Sequence, residues 1–214
     1  MANVTRPNGA VPVRSISGAP WNGQAQPYLC PAADGTAVYV GDFVKLGGSA
    51  GAPGLYVAGM NCEGMPTAIR AAASDALLGV VVGISPLLPT NGSGAANLET
   101  LYRVASTNRV LWVVDDPNAI FEMQEDALGA ALVAADIGEN VDFVATAGST
   151  VTGISAEVID SSTHATTATL PLKLLRLVPR ADNNINTSGA TNPARFLVKI
   201  NNHQFGSHTG TAGV

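Results

Sequence analysis

Five carboxylates crowd the stretch from position 115 to 126: Asp115, Asp116, Glu122, Glu125 and Asp126. Carboxylates this close could exchange protons in acid–base chemistry or hold a hard cation such as Ca²⁺. The residues around them point elsewhere. Asp115-Asp116-Pro117-Asn118 is a turn sequence, and Asp126 stands where it would cap a helix. The twelve-residue calcium-loop pattern is absent. The cluster therefore reads as structural.

The histidines are His164, His203 and His208. The last two lie in an irregular tail without a third ligand beside them, which predicts solvated or interface rings rather than a metal site. Cys30 and Cys62 lack metal-ligand spacing and do not make a disulfide framework. Reduced thiols are expected; the alternative is a bridge tying the base of the N-terminal segment to the rest. Gly47–Gly54 is rich in glycine but lacks the Gly-Lys-Ser/Thr ending of a phosphate cradle, and reads as a surface loop. The expectation is a chain that is not an enzyme, with no cofactor and no metal.

Charge is laid out unevenly along the chain. The first carboxylate is Asp34 and the last is Asp182, so all 16 acids lie between them. The N-terminal end carries Arg6 and Arg14, the C-terminal end Arg195 and Lys199, and the middle has 7 basic residues against the 16 acids. This layout predicts an acidic body with two cationic ends that can attach to an acidic neighbour, including another copy of the chain. The chain's 214 residues fit one sizeable domain. Charged residues make up only 13%, about half the usual share, which fits a surface covered by partners. The acidic balance argues against nucleic acid as a partner. The apolar run Leu77–Ile84 is too short to span a bilayer, and no signal peptide is visible, so a soluble chain made in the cytosol is expected.

The elements that would position these residues are mostly strands. Residues 1–33 are punctuated by Pro7, Pro12, Pro20, Pro27 and Pro31, which exclude a helix and a central strand. They read as an extended N-terminal arm. Residues 34–182 read as a β-rich body with short strands at Thr36–Val40, Asp42–Leu46 and Leu55–Ala58. Leu77–Ser85 is apolar on both faces and reads as buried and central. Tyr102–Ala105 and Arg109–Asp115 read as a hairpin. Ala119–Gln124 alternates, with a mostly wet face carrying Glu122 and Gln124. Val141–Val144, Thr150–Asp160 and Leu172–Val178 are further strands. Asp126–Asp136 reads as the one short helix, ended by Gly138. Residues 183–214 read as a C-terminal arm carrying one strand, Arg195–Asn201, able to pair in its own sheet or add to a neighbour's edge. Together these predict a mainly β fold, a compact barrel or sandwich with extended N- and C-terminal arms. Trp21, Tyr28, Phe196 and Phe205 would then be anchors for a partner's pockets, with Arg6, Arg14, Arg195 and Lys199 supplying charge.

A strap ahead of the body, the stretch Gly41-Asp42-Phe43-Val44-Lys45-Leu46, the run Leu78–Ile84 and the late Arg195–Ile200 strand form a pattern. It resembles the capsid decoration, or cement, proteins of tailed bacteriophages. That resemblance implies a β-rich body on the outer surface of a virion head, with arms gripping adjacent subunits of the major capsid protein. It also implies self-association as a dimer or trimer. The alternative, from another class, is a virion-associated host- or carbohydrate-binding module, for which the Ser161–Thr169 stretch could meet sugars.

Overall fold

Short apolar runs bounded by glycine, proline and asparagine dictate short strands, and thirteen occur among the described residues. The computed structural model describes residues 3–87, 98–128, 131–185, 189, 191–206 and 209–213. The strands are β1 (Val11–Ser15), β2 (Gln26–Cys30), β3 (Phe43–Ala50), β4 (Tyr56–Val57), β5 (Met60–Asn61), β6 (Pro66–Arg70) and β7 (Gly79–Ile84). They continue with β8 (Arg109–Val114), β9 (Ala119–Gln124), β10 (Asn140–Val144), β11 (Val158–Ala165), β12 (Leu172–Leu177) and β13 (Arg195–Ile200). Five strands close a barrel in the order β2-β6-β3-β7-β8. Six form an antiparallel sheet, β1-β9-β13-β12-β10-β11, and β4 and β5 make a small hairpin. The mainly β fold with a closed barrel agrees with the expectation from sequence. Among the described residues no helix is long and apolar enough to cross a membrane.

The two ends are not arms. β1 pairs with β9, and β2 closes the barrel by pairing with β8 along its whole length. β13 lies inside the sheet between β9 and β12. Ahead of β1, Asn3 donates to the Asn184 and Asn192 carbonyls, and Arg6 N–H donates to Gln124 Oε1. At the other end, Thr211 N–H donates to Asn201 Oδ1 and Gly213 N–H to the Thr166 carbonyl. The boundaries at 33/34 and 182/183 therefore do not separate a body from extended segments. Backbone groups that a free arm would leave to water are here paired with the chain's own strands.

The helix expected over Asp126–Asp136 is replaced, among the described residues, by a single 3₁₀ turn at Ala134–Asp136. The carboxylates there bond elsewhere. Asp126 Oδ1 accepts from Ser161 N–H at 3.1 Å and Ser161 Oγ at 2.8 Å, and Glu125 Oε2 accepts from Leu132 N–H at 2.8 Å. These tertiary bonds compete with the helical ladder, which Gly129 in the middle of the stretch also weakens. Further strands shift: Thr36–Val40 makes only isolated bridges, and the strand expected at Thr150–Asp160 is Val158–Ala165. Arg103 forms only an isolated bridge to Val38, so Tyr102–Ala105 is no hairpin partner of β8, and Gly47–Ala50 belongs to β3 rather than to a loop.

One apolar core joins barrel and sheet. Phe43 of β3 packs on Phe143 and Phe121 of the sheet, with ring centroids 4.9 and 6.5 Å away. These three rings and Phe196 are almost completely buried. Each contributes about 1.5–3 kcal/mol through removal from water. β7 and β8 approach closely because Gly79 has no side chain: a Cβ there would stand 2.1 Å from the Val114 carbonyl oxygen.

A buried ionic cluster crosses the same seam. Arg70, at the end of β6, places Nε 3.2 Å from Asp42 Oδ2 and Nη2 3.0 Å from Glu157 Oε1. Asp42 also accepts the Tyr39 N–H and Glu157 the Phe43 N–H, both at 2.9 Å. Two buried carboxylates thus share one guanidinium. Burial pushes Asp42 from 3.8 up to about 6, against the pull of Arg70. Burial, followed by the charge of Asp42, drives Glu157 well above its ordinary value.

Candidate functional site

The β9 and β13 register decides where the charged side chains go. Residues paired directly across neighbouring strands share a face of the sheet. Arg14 and Lys199 both pair with Ile120, while Val11 and Leu197 both pair with Glu122. Arg195 lies on the same face two residues before Leu197, and Arg176 pairs with Leu197 from β12. Arg180 and Arg6 join them: Arg180 and Arg195 both donate to Glu122 Oε1, and Arg195 Nη2 donates to the Arg6 carbonyl. The basic residues of both chain ends therefore gather on one side of the sheet, away from the phenylalanine core.

Part of this face is hollow. Arg6, Arg180 and Arg195 line a cavity of about 320 Å³ with Glu122, Asp182 and Gln124. Burial lowers the Arg195 value and Glu122 opposes the effect, as expected for a guanidinium largely withdrawn from water beside one carboxylate. Arg14 and Lys199 make no ion pair among the described residues.

A second, apolar depression of about 260 Å³ lies beside β1. Ala10, Val11, Trp21, Val82 and Ile154 line it, and Asn8 borders both it and the arginine cavity. β1 is an edge strand. Among the described residues its outward side is met by the turn-back of residues 16–21, where Ser15 N–H donates to the Ala19 carbonyl at 2.8 Å and Trp21 N–H to the Val13 carbonyl at 3.0 Å. Val11, Val13, Ile16 and Trp21 are all exposed there.

The structure separates the eight residues singled out from the sequence. Arg6, Arg14, Arg195 and Lys199 share the basic face, and Trp21 borders the apolar groove. Tyr28 and Phe196 are not anchors for a partner: they are 4% and 0% exposed, because β2 and β13 are internal strands. The Tyr28 hydroxyl donates to Asp115 Oδ2 at 2.7 Å, and burial together with that carboxylate raises the phenol above its usual value. Phe205 is exposed and leans on His203, with centroids 6.3 Å apart.

The carboxylates at 115–126 form no common site. Asp116 Oδ1 accepts from Asn118 N–H, Glu125 holds the backbone of Leu132 and Ala194, and Glu122 serves the arginines. The face of β9 expected to be wet is largely covered. Gln124 donates to the Val4 and Pro193 carbonyls, and Ile120 packs with Val178 and Leu197. His203 is buried rather than solvated, with its value lowered by burial, and His208 lies outside the described residues. Cys30 and Cys62 are buried free thiols.

Sequence reasoning missed Arg176, Arg180 and Glu122 as members of the basic face. The alternation of β12 and β9 carries that signal, but only once register is known. It also missed Asp136, Glu139 and His164, which stand together at the other edge of the sheet. No family model, curated protein or solved structure matches the chain.

Proposed function

We propose that this chain is a structural virion protein that binds the outside of a tailed-phage head and bridges adjacent major capsid protein subunits. The observation that carries the reading is the basic face built from both chain ends, adjoining an apolar groove beside the sheet edge at β1. A net acidic chain that concentrates Arg6, Arg14, Arg176, Arg180, Arg195 and Lys199 on one side is suited to lie on an acidic protein surface. Trp21 beside that face supplies the kind of apolar anchor that dominates interface energetics. The grip is a preformed patch rather than a pair of loose straps, so little ordering entropy is lost on docking. The acidic remainder of a second copy is also complementary to this face, which supports self-association on the particle.

The test is to mix the purified chain with heads lacking it and to image the particles by electron microscopy. Density over the outer head surface, with the β1 edge and basic face towards the capsid, is expected. Trp21→Ala and the pair Arg176→Glu with Lys199→Glu should weaken decoration without altering the fold. Binding should also soften as salt rises. Density at the tail, binding to glycans or nucleic acid in place of heads, or decoration indifferent to these substitutions would overturn the reading.

A further inference from the structure

Asp136, Glu139 and His164 meet at the edge of the sheet farthest from β1. Two local features bring them together. Glu139 N–H donates to the Asp136 carbonyl at 3.0 Å, a turn that sets the two carboxylates side by side. The pairing of Asn140 with Ala165 then carries Glu139 to His164 on the edge strand β11. His164 Nδ1 stands 2.8 Å from Glu139 Oε2 and 3.7 Å from Asp136 Oδ1, and one ligand atom from each residue lies within 4.8 Å of the others.

We infer that these three side chains form a binding site for a first-row divalent cation of the Zn²⁺ type, through one imidazole nitrogen and two carboxylate oxygens. Ligand atoms about 2.0–2.2 Å from one ion stand about 3.0–3.5 Å apart at octahedral or tetrahedral angles. The two distances to His164 bracket that range, and the two carboxylates, already within 4.8 Å of each other, would draw in around the ion.

Asp136 is the most buried of the three: its side chain is 11% exposed, and its Oδ1 faces the cluster, where its contact is the 3.7 Å approach to His164 Nδ1. Its Oδ2 accepts the Val133 N–H at 2.7 Å, which fixes the carboxylate as an outer-shell contact fixes a metal ligand. The nearby Lys173 ammonium does not neutralise the pair: it donates to the Gly138 and Ala212 carbonyls. His164 is partly exposed, so an ion has a path in and a coordination position stays open to water. The imidazole favours zinc over magnesium or calcium, for which all-oxygen ligation is usual.

The full-length chain, stripped with a chelator, should take up one Zn²⁺ in calorimetric titration. Its unfolding temperature should rise by about 5–10 °C when free Zn²⁺ exceeds Kd a hundredfold. His164→Ala and Glu139→Gln should each weaken binding at least tenfold while unfolding near the wild-type temperature in chelator. X-ray absorption of the zinc-loaded protein should show nitrogen and oxygen neighbours without sulfur. No uptake, uptake unchanged in His164→Ala, or a sulfur signal implicating Cys30 or Cys62 would overturn the site.

Discussion

Replacing Asp42 by asparagine should flatten the dependence of stability on pH. In the folded chain Asp42 is raised by burial from 3.8 to about 6. A carboxyl raised in this way holds its proton more tightly folded than unfolded. Its contribution is therefore fully present below 3.8 and is lost as pH climbs through about 6. The gap corresponds to about 3 kcal/mol at most. For a chain of this size that is about 6–12 °C in Tm, taking about 2–4 °C per kcal/mol. Asparagine keeps an acceptor for the Tyr39 N–H but has no proton to lose. It also removes the charge that helps to raise Glu157, which then has Arg70 to itself. Both effects act in one direction. Thermal unfolding of the two proteins from about pH 4 to about pH 7.5 reads the result. The wild-type Tm minus the variant Tm should fall by that amount across the range. Parallel curves, or a difference that grows as pH rises, would refute the account of two carboxylates sharing one buried guanidinium.

Phe196→Ala should destabilise the fold by about 3–5 kcal/mol in urea unfolding, because the ring is fully buried where sheet meets barrel. Cys30 should resist alkylation in the native protein and react after unfolding, since burial raises its thiol to about 12; rapid native labelling would contradict that environment. Deleting residues 1–25 should lower Tm measurably, because the cut removes β1 and the buried Ala10, and unchanged unfolding would show that β1 is dispensable. Tyr28→Phe should cost about 1 kcal/mol through loss of the bond to Asp115, read by chemical denaturation.

The strand content was legible because period-two and continuous apolar runs depend on local chemistry. β7 and β8 are where the two-faced apolar stretches place them. The charge asymmetry of the ends was legible too, but not its meaning. Prolines at 12, 20 and 27 suggested a segment unable to pair, whereas Pro12 lies on an edge strand and Pro27 sits within β2, opposite Trp112. Composition cannot tell a free strap from an edge strand, because both are extended. Asp126–Asp136 looked helical from its alanines and leucines, but the bonds that divert it involve Ser161 and Ala194, far along the sequence. The zinc-type cluster was hidden for the same reason. Its two carboxylates are near neighbours in sequence, while His164 arrives only through the β10–β11 register.

The order of strands has a consequence for synthesis. Every barrel strand lies between residues 26 and 114, whereas the sheet needs β1 at one end of the chain and β13 at the other. The barrel can close on the ribosome while β1 waits, unpartnered, for β9 to emerge. The sheet's interior place stays vacant until Ile200 has left the exit tunnel. Until that moment β9 and β12 each show a bare hydrogen-bonding edge, and a nascent neighbour offering its own β13 could fill the gap. Crowded translation would make strand exchange between copies the characteristic misfolding hazard of this topology.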